Sequence, residues 1–113
     1  MKELFNSHQF TQLLVNGAIR QTNLAADLKP VVSLIAPDKS NYWLIASASP
    51  ADGDTLYGVN IAADETIVAG ETSIEELVFN MYQPNEKWIA ESAKRISEYL
   101  SINNHFFSLS LPI

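Results

Sequence analysis

The chain has 113 residues and a formal net charge of −6, with seven Lys and Arg against thirteen Asp and Glu. That length fits one domain, residues 1–113, around a single core, and an apolar content of 47% belongs to a globular protein and not to a disordered acidic tail. The charge disfavours nucleic acid and anionic membrane surfaces, which are held mainly through Lys and Arg, and the absence of cysteine removes disulfides, thiolate metal sites and thiol nucleophiles.

The first predicted element is a short helix: Ser7 is read as its N-cap, Phe10, Leu13 and Leu14 follow at helical spacing, and Gly17 supplies a left-handed stop. Ala18 to Leu28 holds at most one weak helical turn before Pro30 resets the chain into an extended conformation. Val31–Ala36 reads as a well-covered strand, apolar on both faces except for Ser33. The Pro37–Ser40 turn leads into a second strand over Tyr42–Ser47. Tyr42 and Trp43 must point to opposite faces of that strand, so a sheet covered on one side only would leave one ring exposed. After the Pro50–Asp54 turn, where Gly53 can take a positive φ, comes a third strand over Leu56–Ala62. Tyr57, Val59 and Ile61 form its apolar side, and Gly58 on the other side marks a close approach by a neighbour. A short fourth strand is expected around Thr66–Ala69.

Ser73 and Glu76 then form a capping box that opens a helix. A second helix is predicted from about Asn85 to Leu100, with Trp88, Ile89, Ala93, Ile96, Tyr99 and Leu100 as its apolar stripe and a Glu91–Arg95 pair on its surface. The alternation from His105 to Leu111 reads as a C-terminal strand. The expected fold is α+β, an antiparallel meander of about four strands plus this C-terminal strand, flanked by N-terminal and C-terminal helices.

Residues 40–86 contain no Lys, Arg or His, yet carry Asp52, Asp54, Asp64, Glu65, Glu71, Glu75, Glu76 and Glu86. Asp52-Gly53-Asp54 resembles a divalent-cation loop in its donors, but an EF-type loop needs a closing Glu at its twelfth position, where Ala63 stands here. A polar hairpin turn is the simpler reading. Glu75 and Glu76 suit a helix start better than an acid–base pair, because acids in a first turn are favoured by the helix dipole. His8 and His105, the only histidines, lack a defined third ligand for a metal. No nucleophile elbow, phosphate loop, dinucleotide fingerprint or zinc-protease motif is present, so the chain reads as a non-enzyme without a cofactor. No apolar run approaches the roughly 20 residues of a membrane span, and the first residues lack a secretory apolar stretch. The expected location is cytoplasmic.

Leu13-Leu14 with Asn16-Gly17, Pro30-Val31-Val32 with Leu34, Pro37-Asp38, Trp43-Leu44, Pro50 with Asp52, Tyr57-Gly58, and Gly70 followed by Ser73 and Glu76-Leu77 together resemble a family of small bacterial proteins known only as a domain of unknown function, common on plasmids and integrative conjugative elements. The resemblance covers roughly residues 4–77; His105-Phe106 echoes a pair near that family's end, and the helix between is a departure from it. It implies an α+β fold and a mobile-element setting, and it transfers no catalytic residue.

Two functional readings stay open. In the first, the chain is an acidic interaction module whose face of Asp52, Asp54, Asp64 and Glu65, with Trp43 and Tyr57 as aromatic contacts, meets a basic protein partner, for instance as an inhibitor of a host defence complex. In the second, the Asp52–Asp54 loop binds a small ligand or divalent metal. Homodimerisation through the terminal edge strand, Phe106–Leu111, is a further expectation.

Overall fold

The computed structural model describes residues 4–23 and 26–101. Helix α1 runs Ser7–Thr22, and its N-cap is Asn6, not Ser7. The Asn6 Oδ1 accepts from the Gln9 amide at 2.7 Å and Gln9 Oε1 accepts from the Asn6 amide at 2.9 Å, a reciprocal capping box. Gly17 does not end the helix. It lies in the interior, because the helix docks so closely there that a side chain has no room: a Cβ on Gly17 would stand 1.8 Å from the Ala48 carbonyl oxygen.

Strands β1 (Val32–Ile35), β2 (Asn41–Ala48), β3 (Thr55–Ala62) and β4 (Ile67–Ser73) form the expected antiparallel meander. Helix α2 (Ile74–Phe79) follows β4 directly, and a two-residue strand β5 (Gln83–Pro84) then pairs with β1, giving the order β4-β3-β2-β1-β5. The fifth strand is thus Gln83–Pro84; the C-terminal strand expected over 105–111, with His105, lies outside the described residues.

The fold is α+β, with one layer on each face of the sheet. On the first face Leu13 of α1 and Leu77 of α2 close over Val32, Leu34, Ile45, Ala48 and Leu56, with Trp43 packed against them. On the second, Ile96 covers Leu44, Ala46, Val59 and Ile61, joined by Trp88, Tyr42, Tyr99 and Leu100. Tyr42 and Trp43 do point to opposite faces, and each is half-buried, because both faces are covered. Burial raises the Tyr42 phenol above its ordinary value.

The expected helix over 85–100 is broken. Residues Ala90–Ser92 form one 3₁₀ turn, Ala93 is extended, and a helix begins only at residue 96. The Asn85 amide is bound to the Ser33 carbonyl at 2.9 Å and the Ile96 amide to the Leu28 carbonyl at 2.9 Å. Two anchors to separate parts of the domain therefore hold the chain off a single helical axis. Arg95 donates to the Asp27 carbonyl at 3.0 Å in place of the expected pairing with Glu91, and Asp27 accepts from the Ser97 amide and hydroxyl at the helix start.

One irregularity in the sheet explains how α1 is seated. The β2–β3 register shifts between Ile45 and Ser47, the mark of a bulge, which leaves a backbone group outside the ladder. The Asn16 side chain, buried in α1, donates to the Ala46 carbonyl at 2.8 Å and supplies the missing bond. Asn16 and Gly17 are therefore one docking device: the amide satisfies the bulge, and the glycine lets the helix come close enough for it to reach.

Candidate functional site

A groove of about 800 Å³ opens on the first face of the sheet, between α2 and the β1–β2 turn. Its lining includes Asn41, Trp43 and Asn60 from β2 and β3, Glu71 from β4, Glu76 and Leu77 from α2, Asn80 and Tyr82 beyond it, and Asp38 from the turn. The Tyr82 hydroxyl donates to Asn41 Oδ1 at 2.6 Å, and Asn60 Nδ2 donates to the same oxygen at 3.0 Å. That shared acceptor ties β2, β3 and the segment after α2 together, so the groove is held in shape before anything enters it. No Lys, Arg or His is in the lining, although Lys39 stands beside Asp38 in the turn. Three acidic residues, Asp38, Glu71 and Glu76, with amide oxygens and the Trp43 ring make a surface that favours a cationic side chain.

Two strongly exposed apolar residues stand on either side of the lining residue Asn80 along the chain. Phe79 is 83% exposed and Met81 70% exposed, in a protein whose other large apolar side chains mostly enter the core. Met81 has a φ of 61°, the left-handed position at which a helix usually ends on glycine. The Tyr82 amide reaches back to the Leu77 carbonyl and the Met81 amide to the Val78 carbonyl, each at 3.0 Å, so α2 ends in a Schellman motif with a side chain where none is favoured. Met81→Gly is expected to stabilise the fold by about 1 kcal/mol, raising the melting temperature by roughly 4–8 °C in a thermal melt.

The acids expected to form one face are not together. Asp52 and Asp54 lie in the β2–β3 turn and Asp64 and Glu65 in the β3–β4 turn, at opposite ends of the eight-residue strand β3, roughly 23 Å apart at the rise of an extended chain. At physiological salt, where the screening length is about 8 Å, they do not act as one patch. Their local roles are structural. Asp52 accepts from the Asp54 and Thr55 amides at 2.9 Å each and from the Thr55 hydroxyl at 2.7 Å. Asp54 Oδ1 accepts from the Glu75 amide at 3.2 Å and its carbonyl from the Ile74 amide at 3.0 Å, so it shares the capping of α2 with Ser73. Asp64 accepts from the Thr66 amide at 3.0 Å, and Glu65 holds the turn with a φ of 70°. Among the described residues no three His, Cys, Asp or Glu come together as metal ligands. The bonds to the Asp52 and Asp54 carboxylates come from backbone amides and from the Thr55 hydroxyl.

The Thr55 amide first, then the Asp54 amide and the Thr55 hydroxyl, hold the Asp52 carboxyl down from 3.8 to about 2. Asp27, Asp38 and Asp64 are lowered for the same reason, chiefly by the Ser97, Ser40 and Thr66 side chains respectively. A carboxylate depressed in the folded state contributes stability that is complete above its unfolded value and lost as pH falls through the folded one. Stability is therefore expected to be flat above about pH 4 and to fall toward pH 2, and Asp52→Ala should shallow that fall in melts taken across the range.

Tyr57 is on the second side of β3 and not beside Trp43. The Arg20 guanidinium of α1 lies 3.7 Å from its ring centroid and 3.9 Å from the Glu71 carboxylate. Of the six residues expected to bind a partner, then, only Trp43 reaches the groove. Sequence reading overlooked Asn41, Asn60 and Tyr82, whose meeting depends on strand register and on the return of the chain after α2. Glu76 was assigned to capping alone; its amide is capped by Ser73 at 3.0 Å while the residue also lines the groove.

Among the described residues no helix is long and apolar enough to cross a membrane. No curated protein and no solved structure matches the chain. A family model does, over residues 4–108, which carries the resemblance past Leu77 into the C-terminal part. The chain with this docked helix, meander and groove belongs to the family described as protein of unknown function (DUF2958).

Proposed function

We propose that the protein is a non-enzymatic interaction module that binds a basic protein partner, with the groove beside α2 as its contact surface. The observation that carries this reading is the groove's lining: Asp38, Glu76, the Trp43 ring and the Asn41–Asn60–Tyr82 cluster, with no cationic residue among them. A Lys or Arg side chain entering there would meet carboxylates at its head and an aromatic face along its stem. Exposed Phe79 and Met81, on either side of the lining residue Asn80 along the chain, would add the apolar contact that charge alone does not supply. The mobile-element setting implied by the resemblance makes a host protein the natural partner. In its sharpest form that partner is a defence complex whose nucleic-acid channel the carboxylates occupy.

The test compares two charge reversals, each first checked for an unchanged fold by thermal melt. Asp38→Lys/Glu76→Lys is expected to weaken binding of a basic partner recovered from host lysate by about tenfold or more, mainly through slower association that also falls with salt. Asp52→Lys/Asp54→Lys should leave it within about twofold. The opposite ranking would move the contact to the hairpin turn, and equal recovery with both would end the acidic reading.

A further inference from the structure

The bulge in β2 also decides which face Ser47 joins. Strict alternation would put it on the first face, opposite to Ala46. The extra residue instead sets Ser47 directly against Tyr57, whose ring packs on the second face with Ala46. Thr55 joins them at the two-residue period of β3. Ser49 lies beside it, its amide bound to the Thr55 carbonyl at 2.8 Å, and Glu71 pairs with Tyr57 from β4. Arg20 reaches across from the last turn of α1. These six residues line a cavity of about 160 Å³.

The donors around this cavity are uncommitted. Ser47 is 3% exposed, yet its hydroxyl has no hydrogen-bond partner among the described residues. No buried side-chain oxygen or nitrogen there is sealed from solvent without a partner, so this hydroxyl opens into the cavity. The Arg20 side chain is 28% exposed and its guanidinium is held over the Tyr57 ring. Its contact with Glu71, at 3.9 Å, is too long for a hydrogen bond, which leaves its N–H groups without an acceptor among the described residues. Ser49 Oγ accepts from the Ala51 amide at 3.3 Å and keeps its own proton to give. The Thr55 hydroxyl already donates to Asp52 at 2.7 Å and retains lone pairs alone.

A guanidinium with two hydroxyl donors suits a carboxylate, but the Glu71 carboxylate beside it repels a simple anion. A ligand with both charges leaves neither side unmatched. We propose that this cavity binds a free α-amino acid, its carboxylate on Arg20, Ser47 and Ser49 and its ammonium group on Glu71 and the Thr55 oxygen. The volume is below the roughly 300 Å³ at which pockets hold drug-sized molecules, which limits the ligand to a small side chain. The site is separate from the partner groove except at Glu71, which lines both.

The probe is L-alanine, titrated into the intact protein and followed by nuclear magnetic resonance. Two analogues are compared with it: N-acetyl-L-alanine, which lacks the ammonium group, and L-alaninamide, which lacks the carboxylate. L-alanine should bind with a dissociation constant on the order of 1 mM, and each analogue about tenfold more weakly. Ser47→Ala should weaken L-alanine binding about fivefold without lowering the melting temperature, because the hydroxyl it removes holds nothing in the fold. Glu71→Gln should remove the preference for L-alanine over N-acetyl-L-alanine, and Asp38→Lys/Glu76→Lys in the groove should leave it in place. Equal binding of L-alanine and N-acetyl-L-alanine by the unaltered protein overturns the proposal in favour of a plain anion site. Unchanged binding in both Ser47→Ala and Glu71→Gln overturns it by placing the ligand elsewhere, and so does the absence of saturable binding at about ten times the expected constant.

Discussion

Gly17→Ala is expected to destabilise the protein by about 3 kcal/mol or more, lowering the melting temperature by roughly 12–24 °C. The sign is the informative part. In an unpacked helix the same change would stabilise by about 1 kcal/mol, because alanine is the better helix former. Here the added Cβ would meet the Ala48 carbonyl oxygen at 1.8 Å, its carbon at 2.9 Å and the Pro50 ring at 3.1 Å. Backbone atoms of a sheet cannot swing aside as a side chain can, so the helix must lift. Lifting α1 withdraws Asn16 from the Ala46 carbonyl, a buried bond of 2.8 Å, and costs both groups that bond. A melt with unchanged or raised midpoint would show that α1 is not seated as described. Asn16→Ala should reproduce part of the loss, about 1–3 kcal/mol.

The second large effect is expected at Gly58, again by close approach. A Cβ there would stand 2.0 Å from the Leu44 carbonyl oxygen and 3.0 Å from the Ile45 Cα, where the bulge disturbs the regular spacing of β2 and β3. Gly58→Ala should cost about 2–3 kcal/mol, measured by urea or thermal unfolding. Gly70 is its direct partner on β4, yet a Cβ there meets nothing within 4 Å and its φ is not in the left-handed range. Gly70→Ala should therefore change stability by less than about 0.5 kcal/mol, or stabilise slightly by restricting the unfolded chain. Equal losses at the two positions would contradict the packing argument and point to a general aversion of the sheet to side chains.

Much of the meander was legible because its signals are local. Alternating apolar residues bounded by Pro, Asp and Gly placed four strands within a few residues of their observed limits, β4 alone running on from Ala69 to Ser73. Gly58 was read as a close approach and is one. Gly17 was misread because a glycine after an apolar stripe looks the same whether it ends a helix or lets it dock. The stripe from Trp88 to Leu100 was misread for a related reason. Its residues do pack on the sheet, Trp88, Ile96, Tyr99 and Leu100 among them, but anchors at Ser33 and Leu28 break the helix between them. Helical spacing shows that residues can share a face, and long-range bonds decide whether they do so on one axis.

Fold class, the order of the four meander strands and the want of Lys, Arg and His from residue 40 to residue 86 follow from neighbours along the chain, and no knowledge of packing was needed for them. Where that negative charge acts is a different kind of fact. Strand β3 carries its two acidic turns to opposite ends of the sheet, and hydrogen bonds give their carboxylates to turn and helix-start amides. The missing cation arrives from another element, as Arg20 of α1 settles over Tyr57 and beside Glu71. The groove of Trp43, Asn41, Asn60, Tyr82 and Glu76 draws on residues as far as 41 positions apart. A site of that kind exists only once the register of the sheet and the path after α2 are set, since spacing along a chain carries no information about which distant side chains will meet.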